Sequence, residues 1–160
     1  MIAAKSDAPS FSLDAARATK QLLAAEDAES RQCAAYAFAA ACDSTDDDAE
    51  IVAHDALRPL AGMLLGSDGE AEAGTLALFH LARNLKNNVS IAKAGAIPPL
   101  VALLQNGTDK AKENAAGALM NLSATEDNRF SIAKAEAIPS LVAILQNGTV
   151  ARAAERKSVV

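Results

Sequence analysis

The chain has 160 residues, 15 Lys+Arg against 20 Asp+Glu for a net charge of −5, and 51% hydrophobic residues. That balance excludes a disordered tail and disfavours non-specific binding to phosphate backbones. Alanine fills about a quarter of the chain and aromatics only 3%, which favours close-packed helices over a sheet built from β-branched and aromatic residues. An all-α protein is expected.

No stretch approaches the ~20 continuous apolar residues that cross a bilayer. The opening MIAAKSDAPSFSLDAAR lacks the apolar core of a secretory signal, so a cytoplasmic placement is expected, with the nucleus also open, and no membrane partner. Residues 1–87 carry seven Lys/Arg and fourteen Asp/Glu, net −7, and residues 88–160 carry eight and six, net +2. The later half is only weakly basic, so nucleic acid is not an expected partner. Cys33 and Cys42 are the two cysteines. Nine positions apart on one helix they would sit ~13 Å apart along its axis, too far to bridge, and are expected as reduced thiols.

In chain order, the first segment runs through Leu22, Leu23 and the helix-spaced AAYAFAAAC at 34–42, the most divergent copy of a unit that returns three times. The second copy is EIVAHDALRPLAGMLLGSDGEAEAGTLALFHLA at 50–82, where Ile51, Leu57, Leu60, Leu64 and Leu81 answer Ile91, Ile97, Leu100, Leu104 and Leu122 of the third. The repeat is plainest in SIAKAGAIPPLVALLQNGT at 90–108, which returns as SIAKAEAIPSLVAILQNGT at 131–149 with a period of 41 and only three differences in 19 positions. The approximate units are 8–45, 46–86, 87–127 and 128–160, forming one domain.

Each unit reads as three helices. A short first helix from about Val89 to Ala94 stops at Gly95, a residue suited to the left-handed position past a helix end. Pro98 then opens a second helix, with Leu100, Val101 and Leu104 on one face, and Asn106-Gly107 ends it. Thr108 or Asp109 caps a third, KAKENAAGALMNLS, whose Ala111, Ala115, Ala118, Leu119 and Leu122 form an apolar stripe. No single unit can bury its second and third helices alone, so the copies must stack into a curved solenoid. The last copy stops at VARAAERKSVV where a full third helix should continue. Either the chain is a piece of a longer array or Val150–Val160 closes it as a polar helix. An incompletely covered last unit could also pair with a second copy of the chain.

The wording AGAIPPLVALL followed by a turn and KENAAGALMNL resembles the armadillo repeat, closely over 87–149, fairly over 50–86 and weakly before. It is most similar to the multi-repeat armadillo proteins of plants, algae and oomycetes. The resemblance implies a right-handed α-α superhelix with three helices per ~41-residue repeat, whose third helices line a concave groove that takes extended peptides of partner proteins. HEAT repeats, with two helices per unit, are the nearest alternative, and the NNVSIAKAG segment ahead of the Pro-led helix favours armadillo.

The outward stripe of the third helix must avoid the packed positions and recur at i, i+3 and i+7. In the best copy it is Asn114, Gly117 and Asn121, preceded one period earlier by Ala73, Leu76 and His80, and before that by Cys33, Tyr36 and Ala40. In importin-α-like receptors, the resemblance implies, the last of the three is an Asn that clamps a peptide backbone; only Asn121 matches, with His80 and Ala40 in the other copies. The family's groove Trp corresponds to Tyr36, Leu76 and Gly117, and the chain has no Trp. A nuclear-localisation-signal groove is therefore not expected.

The remaining chemistry-bearing residues have structural readings. His54 and His80 lie 26 positions apart with no metal-ligand spacing around them, and Asp46, Asp47, Asp48 and Glu50 lack the alternating ligands and central Gly of a calcium loop. The Asn-x-Ser/Thr triplets at Asn88, Asn106, Asn121 and Asn147 would matter for glycosylation only in a secreted protein. Phe38, Met63, Phe79, Met120 and Phe130 are expected to pack. No Gly-rich phosphate loop, nucleophile-base pair or paired carboxylates appears, so neither a cofactor nor enzymatic activity is expected.

Three functions remain. The first is a non-catalytic module that binds a partner protein or peptide along a groove at Tyr36, Leu76, His80, Asn114, Gly117 and Asn121. The second is the substrate-recognition part of a larger U-box-type ubiquitin ligase. The third is an architectural scaffold that assembles through its ends.

Overall fold

The computed structural model describes residues 21, 23–44 and 49–146, with the side chains of 41–44 and 49–55 outside that set. The Cys42 thiol, Asp46–Asp48, the His54 ring, Asn147 and Val150–Val160 therefore fall outside the described residues. Seven helices follow in order: α1 Ala28–Ser44, α2 Ala49–Met63, α3 Asp68–Ala82, α4 Leu85–Lys93, α5 Ile97–Asn106, α6 Asp109–Leu122 and α7 Glu126–Lys134. An eighth, α8, covers 137–146, and there is no strand among the described residues.

Local chemistry sets the helix ends. Ser67 caps α3 in a reciprocal box, its hydroxyl accepting from the Glu70 N–H while its own N–H donates to the Glu70 carboxylate. Thr108 caps α6 by accepting from the Ala111 N–H at 3.2 Å. Asn84 caps α4 by accepting from the Lys86 N–H, so that helix begins at Leu85, ahead of the Val89 start expected from the apolar pattern. Pro98 stands in the first turn of α5, where a missing N–H costs nothing, and the Gly107 N–H donates to the Leu103 carbonyl where the helix ends.

Gly95 separates α4 from α5 with φ of +83°, the left-handed geometry its position predicts. The corresponding residue before α8 is Glu136, held at φ of +60°. A side chain there costs roughly 1–2 kcal/mol. In the unit before, Asp55 replaces the glycine, and α2 runs through it as one helix where the next unit has two. Pro59 lies inside α2 and has no N–H to give the Asp55 carbonyl.

The helices form two layers. α1 packs on α3 and α3 on α6, making a row of third helices; α2 backs α3 and α5 backs α6. α4 touches α2, α3 and α6, and α7 touches α4, α5 and α6. This is the right-handed superhelical stack expected of the repeat. The positions matched between copies are its core, with Leu57, Leu60, Leu64, Leu81, Ile91, Ile97, Leu100, Leu104 and Leu122 all buried. Each such side chain contributes ~1.5–3 kcal/mol by leaving water. Phe38 and Met63 are buried as expected.

A second set of contacts between units is polar and was not read from the sequence. Asn87 donates its amide to the Leu81 carbonyl, and 41 residues later Asn128 donates to the Leu122 carbonyl at 3.2 Å. Each closes the exposed end of a third helix from the first helix that follows. Asn128 also donates to the Asn88 carbonyl at 3.1 Å, and Asn88 donates to the Asn121 carbonyl at 2.9 Å. Asn88 is fully buried, so its Asn-x-Ser triplet is no accessible modification site.

Candidate functional site

α2, α4 and α5 pack on one side of α3 and α6, and no described helix covers the other side of the row that these two form with α1. All six residues named for the groove are exposed or half-buried on these three helices. Tyr36 on α1 is 43% exposed, and Leu76, His80, Asn114, Gly117 and Asn121 are half-buried. Cys33 and Ala40 are exposed, and Cys33 is a free thiol. Ala73 departs from the expected stripe: it is fully buried in the helix-helix contact.

The structure joins several of these residues directly. The Phe79 ring of α3 presses its Cδ2–Cε2 side on Gly117 of α6, so close that a Cβ on Gly117 would stand 2.8 Å from those two ring carbons. His80 meets Phe79 edge-on, with ring centroids 5.3 Å apart and planes at 62°. Gly117 is thus the seat for an aromatic ring supplied by the neighbouring helix. On either side of it, the side-chain amides of Asn114 and Asn121 make no hydrogen bond among the described residues. Tyr36 stands one helix further along the row.

Two of the expected packing residues are instead exposed. Met120 is 68% exposed because it lies opposite the buried stripe of Ala111, Ala115, Ala118, Leu119 and Leu122. Phe130 is 74% exposed because α7 buries Asn128 and Ile132, and a residue midway between them points ~200° away.

Three charged groups near the N-terminal ends of the third helices, Arg31, Glu70 and Glu72, are tied into structure. Glu72 accepts from the Thr108 hydroxyl at 2.6 Å, linking α3 to the cap of α6. Arg31 of α1 donates to the Glu70 carboxylate at 2.7 Å and, from its Nη1, to the carbonyls of Ala25 and Glu26. The Ser67 N–H, followed by the Arg31 guanidinium, holds the Glu70 carboxyl below its ordinary range. Among the described residues no three His, Cys, Asp or Glu side chains come together as a metal cluster, and no helix is long and apolar enough to cross a membrane.

Residues 89–124 match the armadillo/beta-catenin-like repeat. No curated protein matches the chain. Among solved structures, a computationally designed armadillo repeat protein for modular peptide recognition matches with a TM-score of 0.77 and 25% identity, over 82% of this chain and 57% of that one. An engineered protein matches with a TM-score of 0.76 and 25% identity, over 81% of this chain and 55% of that one. A designed armadillo repeat protein solved in complex with a (KR)4 peptide matches with a TM-score of 0.77 and 23% identity, over 83% of this chain and 57% of that one. The chain spans little more than half the length of these solved structures.

Proposed function

We propose that this chain, which carries an armadillo repeat over residues 89–124 within an armadillo solenoid fold, is a non-catalytic module that binds a partner protein or extended peptide. The binding surface is the free side of α1, α3 and α6, around Tyr36, Leu76, His80, Asn114, Gly117 and Asn121. The observation that carries this reading is the pair of uncommitted amides at Asn114 and Asn121, facing out of an otherwise well-packed third helix. An amide that bonds nothing among the described residues can both donate to and accept from a peptide backbone laid across it. The designed relative solved with a (KR)4 peptide supports the class of ligand. The working compartment is the cytoplasm or nucleus, and the partner is a protein rather than a nucleic acid, in keeping with the net charge of −5.

Affinity capture followed by mass spectrometry tests the reading. The triple variant Tyr36→Ala, His80→Ala, Asn121→Ala should lose the partners that the wild-type chain retains. Capture of the same set by both proteins overturns it.

A second reading, assembly through an end of the stack, draws on the exposed face of α8, where Ile138 and Leu145 are 61% and 70% exposed. Sedimentation across a wide concentration range tests it: association weakened by Leu145→Glu supports it, and a monomer at every concentration removes it.

A further inference from the structure

The free side of the third helices has a second property, visible only once the three are placed side by side. No charged side chain occurs over residues 32–42, 73–82 or 114–125, which are the middle and later turns of α1, α3 and α6. Most charges of these helices fall in their first turn and a half, where carboxylates favour the positive helix end and Glu70 and Glu72 are bonded to Arg31 and Thr108. Exposed Glu113 borders the uncharged stretch of α6, and Asp43 follows that of α1. Large uncharged side chains occupy the floor in their place. Tyr36 is 43% exposed, Phe79 is half-buried over Gly117, and Met120, one turn beyond Gly117, is 68% exposed.

We infer that this surface selects an extended segment whose seated side chains are apolar and uncharged, of the leucine or methionine kind. The inference rests on the proposed reading that the surface binds a peptide. A lysine or arginine laid on the middle and later turns would shed water without meeting a carboxylate, the nearest being Glu113 at the edge of the floor, and an acidic side chain would meet no lysine or arginine there. A leucine side chain meets the Phe79 ring and the flexible Met120 thioether, which adapts to irregular apolar shapes. Asn114 and Asn121 then hold the backbone. With neighbouring helices ~8–10 Å apart, three third helices span about 20 Å. An extended chain rising ~3.3 Å per residue covers that span in six or seven residues.

Fluorescence anisotropy with the full chain and three labelled octapeptides tests the inference: one alternating Leu with Ser and Asn, (KR)4, and (DE)4. The leucine peptide should bind at least tenfold more tightly than either charged one, and its affinity should change less than twofold between 50 and 500 mM NaCl. Met120→Glu, at a position already facing solvent, should leave the melting temperature unchanged and weaken the leucine peptide at least tenfold. Either charged peptide binding as tightly as the leucine peptide overturns the inference, and so does an unchanged affinity in Met120→Glu. If the leucine peptide fails to bind while the triple variant still loses its captured partners, the inference falls and the proposed function stands. If capture is also unaffected, both fall.

Discussion

Leu104 on α5 and Leu145 on α8 occupy the same place in two segments that differ at three of 19 positions, yet the first is 2% exposed and the second 70%. Ile97 against Ile138 and Val101 against Val142 repeat the contrast, at 3% against 61% and 5% against 45%. The difference lies in what surrounds each segment. α6 and α7 both pack against α5, whereas no described helix follows α8. Burial in this fold is therefore a property of position in the stack, and a repeat's own residues supply only the capacity for it.

The sharpest way to break that comparison is to truncate the matched leucines. Leu104→Ala should cost about 2–5 kcal/mol through lost transfer energy and the cavity left behind. Leu145→Ala should cost under ~0.5 kcal/mol. Urea unfolding of the two variants measures both, and equal costs would mean that the two segments share one environment.

A smaller effect should follow from the polar contacts between units. Asn128→Ala removes the donor to two buried carbonyls, those of Leu122 and Asn88, and should cost about 1–3 kcal/mol. Asn87→Ala removes one such bond, to the Leu81 carbonyl, and should cost less. The order of the two urea midpoints checks this, and a reversed order would contradict the account of how consecutive units are joined.

Much of this architecture is legible in the residues. The 41-residue period, the Ala111–Leu122 stripe, the Pro98 start and the Gly95 stop all follow from local rules that the structure obeys. Part of what escaped the reading depends on neighbours more than 30 residues away. Asn88 looked like a glycosylation triplet because nothing local reveals that its amide meets the Asn121 carbonyl. Phe79 and Gly117 read as separate packing and groove positions because the close seat they form spans two units. Met120 and Phe130 were misplaced by hydrophobicity alone, although the buried phase of each helix, once known, puts both on the outer side. The continuous α2 departs from the three-helix pattern at Asp55, although Glu136 turns the chain at the matching place of the last unit without a glycine.

The same logic gives a further, modest effect at a position where the two near-identical segments differ in residue. Glu136→Gly should stabilise the chain by about 1 kcal/mol, since the left-handed φ of +60° is one that glycine adopts freely. Gly95→Glu, at φ of +83°, should destabilise it by a similar amount. Thermal melts of the exchanged pair check the sign at each site.

Hydrogen exchange of residues 97–106 against 138–146 tests the central claim most directly, because IPPLVALLQN and IPSLVAILQ have nearly the same intrinsic rates and each serves as the other's control. The account predicts protection of α5 near the level of global unfolding and exchange of α8 at least a hundredfold faster. Equal protection of the two helices would contradict it.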